Sequence, residues 1–156
     1  MSTVIGIDPG TTGCLYVVNN HGILDCVRFK DKTDHDLFWA LDAINQKYSI
    51  DKVLLEKVHS MPKQGVASTF KFGERYGFIK GLITALRWPF EYVTPNKWQK
   101  ALSCQTKGDK KISKAAAQRL FPDENLTLDT ADALLIAEYG RRDENETRKS
   151  ELPTSQ

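Results

Sequence analysis

Three consecutive aliphatic residues closed by an acid, Val53-Leu54-Leu55-Glu56, leave no polar face for water. A strand of that kind pairs in parallel inside a sheet and is covered by helices on both sides. The flanking segments agree with such a sheet. Thr3 to Ile7 is apolar and β-rich and ends at Asp8-Pro9-Gly10, because proline lacks a backbone donor and glycine permits a turn. Cys14 to Val18 and Ile23 to Phe29, joined by Asn19-Asn20-His21-Gly22, read as two further strands of an antiparallel meander. Thr33 or Asp34 caps a crossover helix carrying Leu37, Phe38, Leu41 and Ile44 at helical spacing, which leads to the central strand.

After a loop from His59 to Gln64, the pattern predicts a helix from about Ser68 to Leu86. Gly73, Gly77 and Gly81 form one smooth stripe along it, suited to close packing against another backbone. Phe90 to Val93 is a short strand, and Thr94-Pro95 opens a helix through Trp98 to Leu102. Lys110 to Phe121 is helical, with Ile112, Ala115, Ala116, Arg119 and Leu120 placing its buried side, and Pro122 stops it. Thr127 caps a last helix from Leu128 to about Tyr139. The expectation is an α/β domain over residues 1–140, with a mixed five-stranded sheet and helices on both faces, followed by a flexible tail over 141–156.

The acids then acquire addresses. Asp8 and Glu56 end two strands that can be neighbours, and Asp129 and Asp132 stand three apart at a helix start. Glu56 and Asp132 adjoin aliphatic core segments, where carboxylates are rarely buried unless they are paired or hold a cation. Singly, Asp8 also reads as a turn residue and Asp129 as a favourable first-turn acid. Together the four make an oxygen cluster of the kind that binds hard cations.

The ordered motifs Gly6-Ile7-Asp8-Pro9-Gly10 with Thr12-Gly13, Leu55-Glu56-Lys57-Val58, Lys71-Phe72-Gly73-Glu74-Arg75-Tyr76-Gly77, Pro89-Phe90-Glu91-Tyr92-Val93 and Asp129-Thr130-Ala131-Asp132-Ala133-Leu134 resemble the RuvC family of Holliday-junction resolvases. The resemblance spans roughly residues 3 to 139. It implies an RNase H-like fold, a homodimer, divalent metal ions and symmetric nicking of branched DNA, with Asp8, Glu56, Asp129 and Asp132 as catalytic carboxylates. Two cations on such a cluster suit phosphodiester hydrolysis, one serving the attacking water and one the leaving oxygen. Mg²⁺ is the expected ion, with Mn²⁺ able to substitute, because it takes oxygen ligands and shares its shell with phosphate and water.

A net charge of +2 hides a division: residues 56–121 carry 13 basic and 4 acidic side chains, against 4 and 9 over residues 122–156. Such a basic block is the footprint of phosphate binding. By the resemblance, Lys111 is the preferred counterpart of a functional lysine at the helix start, able to steady charge on the scissile phosphate. Lys57, His59, Lys63, Lys71, Arg75, Lys107, Lys110 and Lys114 are expected along the DNA path. His59 stands where bacterial members often place a stacking aromatic, and the loop from Phe121 to Thr127 is shorter than in many of them. Both features suit a phage-type member acting on branched DNA more generally.

Other classes fare worse. The Asp8-Pro9-Gly10 turn also looks like the first phosphate loop of actin and sugar-kinase ATPases, but their cleft needs two lobes and 156 residues supply one, so no nucleotide cofactor is expected. A non-catalytic branched-DNA-binding module would not need all four acids. A nuclease acting on RNA or an RNA–DNA hybrid would keep them. No apolar run approaches the ~20 residues of a membrane span, and Cys14, Cys26 and Cys104 fit neither a disulfide framework nor a metal knuckle. The expected location is the cytoplasm of a bacterial or phage-infected cell.

Overall fold

The computed structural model describes residues 1–59 and 63–152. Val4–Asp8 (β1), Cys14–Asn19 (β2), Gly22–Arg28 (β3), Lys52–Glu56 (β4) and Phe90–Val93 (β5) form one sheet in the order β3-β2-β1-β4-β5. β1, β2 and β3 are antiparallel, whereas β4 runs parallel to both β1 and β5, with Ile7 opposite Leu55 and Glu56 opposite Val93. The helices are Asp34–Lys47 (α1), Val66–Ala85 (α2), Pro95–Ala101 (α3), Lys110–Leu120 (α4) and Ala131–Glu151 (α5). This is the mixed five-stranded α/β arrangement that the apolar pattern requires.

Both faces of β4 are buried, one by each layer of core. Val53 and Leu55 point into a cluster with Leu37, Leu41, Ile79 and Ile83 of α1 and α2, while Leu54 joins Trp98, Ala117, Leu134 and Ala137 of α3, α4 and α5. α5 lies hard against the sheet. A Cβ on Gly6 would sit 2.2 Å from the Ala137 backbone nitrogen and 2.5 Å from the Ala133 carbonyl oxygen. Ala133, Ala137 and Gly140, spaced at i, i+4 and i+7, are the side of α5 that permits this approach.

Capping follows the sequence. Thr33 and Asp36 form a reciprocal capping box on α1, and the Thr94 hydroxyl accepts from the Lys97 amide ahead of Pro95. Four expectations change. Phe38 lies on the exposed side of α1, its ring against Trp39, because Leu37, Leu41 and Ile44 already fill the buried stripe. α4 buries Ser113, Ala116 and Ala117, leaving Ile112 and Leu120 exposed, since a small-residue face packs more closely on α5. The last helix begins at Ala131, so Asp129 sits in the turn leading into it, where the Ala131 amide bonds the Thr127 carbonyl.

The fourth concerns the segment expected to be a flexible tail, which continues α5 to Glu151. Glu138 bonds Arg141 and Arg142 along the helix, and the Lys52 ammonium reaches Asp143 at 2.9 Å and Glu144 at 3.4 Å. Those bonds tie a charged, aliphatic-poor segment to the sheet, which composition alone does not reveal. No described helix is long and apolar enough to cross a membrane.

Candidate active site

Parallel pairing of β1 with β4 brings their C-terminal ends side by side, so Asp8 and Glu56 leave the sheet at one edge. Ligand sites of open α/β sheets commonly form at this edge. Asp8 Oδ1 accepts from the Gly10 amide at 3.2 Å. The turn is too tight for a side chain at Gly13, whose Cβ would fall 2.0 Å from the Asp8 carbonyl oxygen. Asp132, in the first turn of α5, is carried to the same edge by the close seating of α5 on Gly6. The Thr12 hydroxyl donates to Asp129 Oδ1 at 3.2 Å, tying the β1–β2 turn to the entry of α5.

Burial dominates the electrostatics of the cluster. It pushes the Asp8 and Asp132 carboxyls above their ordinary range, the Asp132 charge adding to the effect on Asp8. Glu56 is raised to about 7 by burial, then by the Asp8 charge. Lys110 opposes the shift in all three. Its positive charge thus acts on each of the three acids. Lys111 is exposed, and its amide donates to the capping Asp109 side chain.

Trp98 is a residue that the patterns of the chain do not flag. Its indole Nε1 donates to Glu56 Oε2 at 2.8 Å, and the ring is fully buried. Because Glu56 pairs with Val93, the first turns of the helix after β5 necessarily lie beside it; an indole there is the available signal. Replacing Trp98 by Phe keeps most of the ring and removes the donor. Groups that orient metal ligands are typically worth 10- to 100-fold in metal affinity. Were the cluster to hold Mg²⁺, the expected result is a rise of roughly tenfold in the Mg²⁺ concentration that half-saturates the protein in a thermal-shift titration. An unaltered Mg²⁺ titration would exclude this orienting role.

The donor set fits a hard cation. It is all oxygen, and Asp132 Oδ1 is buried without a hydrogen-bond partner among the described residues. Among these residues no three acids, histidines or cysteines are close enough to cage an ion as they stand. A carboxyl whose folded pKa is raised stabilises the fold below its unfolded value and loses that contribution as pH climbs to the folded one. For Glu56 the window runs from 4.5 to about 7, a loss on the order of 3 kcal/mol. Metal-free protein is thus expected to melt at lower temperature near pH 8 than near pH 5, with added Mg²⁺ restoring the midpoint at pH 8. A flat profile in thermal unfolding monitored by circular dichroism would count against the buried cluster.

The basic residues divide. Lys57, His59, Lys63, Lys71, Lys107 and Lys110 are exposed and Lys114 is half-buried. Arg75 is half-buried, donating to the Lys32 carbonyl at 3.3 Å, with Nη1 buried and without a hydrogen-bond partner among the described residues. Of the loop expected from His59 to Gln64, residues 60–62 lie outside the described residues. His59, Lys57, Gln64, Phe72 and Pro95 line a cleft of about 340 Å³ beside the end of β4.

No family model and no curated protein sequence matches the chain. Solved structures do. RuvC of Thermus thermophilus superposes with a TM-score of 0.65 at 20% identity, over 93% of this chain and 97% of that one. T. thermophilus RuvC in complex with a Holliday junction substrate gives 0.63 at 20% identity, over 89% and 92%. The yeast mitochondrial Holliday junction resolvase Ydc2 gives 0.52 at 15%, over 95% and 82%. Likeness at these identities is one of architecture: the chain has the RNase H-like fold of RuvC.

Proposed function

We propose that this protein is a divalent-metal-dependent endonuclease that resolves four-way junctions and related branched DNA by paired nicks. The observation that carries the proposal is that Asp8, Glu56 and Asp132, from three separate elements, are partly desolvated acids, that the charge of Asp132 is felt by the other two, and that all three feel the charge of Lys110. Fold alone does not give function, but structures sharing this fold include RuvC bound to a Holliday junction substrate and a mitochondrial Holliday junction resolvase. Their chemistry is of the kind this cluster can perform.

Asp8, Glu56 and Asp132 would hold Mg²⁺ or Mn²⁺, with Asp129 completing the set. Two such ions supply charge stabilisation at the attacking and leaving oxygens. The chain's own groups do the rest. Trp98 fixes the Glu56 carboxylate through Oε2, the Gly10 amide fixes Asp8 through Oδ1, and Lys110 offers positive charge for the scissile phosphate. Lys57, Lys71, Lys107 and Lys114 supply phosphate contacts whose effect is on affinity and its salt dependence. Three free cysteines support a reducing cytoplasm as the location.

Paired nicks call for two sites, and α2 offers a surface on which two copies can meet. Val66, Phe70, Gly73, Gly77 and Gly81 share one side of the helix; Val66 and Phe70 are 88% and 72% exposed, and a Cβ on any of these three glycines would meet nothing within 4 Å. The backbone that this glycine stripe suits is therefore not found within the described chain, and a second copy related by a two-fold axis would supply it. Phe70→Glu is expected to convert a species of twice the chain mass into one of the chain mass by light scattering, leaving circular dichroism unchanged. A monomeric parent protein would remove this part of the proposal.

Incubation with labelled four-way junction, Y-fork, linear duplex and RNA–DNA hybrid in Mg²⁺ tests the whole. Cutting of the junction and fork is expected. Equal cutting of linear duplex would overturn the structure selectivity, and cutting of the hybrid alone would assign the site to RNA.

A further inference from the structure

Cys14 on β2 and Cys26 on β3 face the same core layer, with their sulfurs 3.4 Å apart. They are diagonal neighbours in the ladder, Cys14 opposite Arg28 and Tyr16 opposite Cys26. A disulfide needs about 2.05 Å between the sulfurs, so an approach of little more than 1 Å would join them. Their accessibility differs in a useful way. Cys14 is fully buried, whereas Cys26, on the edge strand, is half-buried and is among the residues lining an open cleft of about 760 Å³ along the β3 edge, together with Arg28, Lys32, Lys47 and Glu124. Of the two residues, only Cys26 keeps exposure to solvent.

We propose that Cys14 and Cys26 form an oxidisable dithiol, a modification site at which a hydroperoxide entering from the β3 cleft reacts at Cys26 and Cys14 completes the disulfide. The hydrogen bond shared with Cys14 holds the Cys26 thiol below its ordinary value, with Arg28 acting in the same direction, and the thiolate is the nucleophilic form. In the first step the Cys26 sulfur takes one oxygen of the hydroperoxide; the O–O bond breaks, and the other oxygen leaves with a proton as water or alcohol. In the second, the Cys14 sulfur attacks the resulting sulfenic sulfur, the S–O bond breaks, and that oxygen leaves as water. Two thiols are oxidised by two electrons and one hydroperoxide is reduced, so no further reactant is needed.

The pair also adjoins the acidic cluster. Cys14 is the first residue of β2, and its partner on β1 is Asp8, the last residue of that strand. Drawing Cys14 toward β3 pulls it from the residue proposed as a metal ligand. On that reading, which rests on the proposed nuclease function, the oxidised protein cuts junctions more slowly than the reduced one.

The test uses the full chain treated with hydrogen peroxide. Thiol titration under denaturing conditions is expected to fall from the three cysteines to one. No Lys or Arg precedes Arg28, so trypsin leaves both cysteines in one peptide, lighter by two hydrogens, and chymotryptic cutting at Leu15 or Tyr16 should leave two fragments joined by the bond. Cys14→Ser should trap a sulfenic acid at Cys26 that dimedone labels, and Cys104→Ser should oxidise as the parent does. An unchanged thiol count, or a bond involving Cys104 or a second chain, would overturn the proposal. Cleavage by the oxidised form is expected to fall at least about fivefold and to recover with dithiothreitol. Disulfide formation with unchanged cleavage would overturn the coupling to Asp8, whereas a reduced protein that cuts nothing would overturn the nuclease reading and leave the thiol result standing.

Discussion

Asp8→Asn is expected to lower junction cleavage by a factor on the order of 10³ or more while leaving junction affinity within about threefold, since phosphate contacts carry most affinity. The amide keeps the shape and the bond from Gly10 to Oδ1 but supplies no negative charge to a cation. The same change is expected to make the metal-free protein more stable. Asp8 is desolvated beside Asp132 and Asp129, so removing its charge relieves both burial and repulsion. The thermal midpoint near pH 8 should rise by a few degrees, about 2–4 °C per kcal/mol at this chain length, and part of the pH dependence of stability should disappear. Lost activity with gained stability is the pattern of a functional site. Retained cleavage, or lost binding in a folded protein, would instead make Asp8 a turn residue.

Gly6→Ala is expected to cost more than about 4 kcal/mol, among the largest effects available to a single methyl group. The added carbon would meet backbone atoms of α5 at 2.2 and 2.5 Å, and backbone has no rotamer with which to give way. α5 would have to lift from β1. Its withdrawal would take Asp132 away from Asp8 and Glu56, so any folded fraction should also bind Mg²⁺ poorly. Urea unfolding reads the first effect and the Mg²⁺ dependence of thermal stability the second; a midpoint within 1 M of the parent at an unchanged slope would contradict the close packing. Alanine at Gly73, Gly77 or Gly81 meets open space instead, which confines its effect to assembly.

The strands and the two strand-end acids could be read from the chain because their signals are local. Val53-Leu54-Leu55 has no polar face in any context, and Asp8-Pro9-Gly10 stops a strand whatever lies beside it. The features that needed the structure depend on register or docking. The bond from Trp98 to Glu56 exists because β5 aligns Val93 with Glu56, which no spacing encodes. α4 is rotated relative to its aliphatic positions because small residues, not large ones, seat it on α5. Residues 141–151 looked like a tail because the partner that orders them, Lys52, is about ninety positions earlier.

The hydrogen bond from Trp98 gives the cluster an optical reporter of its own. Trp39 is exposed and Trp88 bonds Asn45, both remote in kind from the acids, whereas the Trp98 indole is dry and touches one of them. Any event that changes the charge on Glu56, whether a proton or a cation, alters the field across that ring and so its emission. With Trp39 and Trp88 replaced by Phe, the protein would report occupancy of its site by fluorescence, with no substrate present and no bond cut.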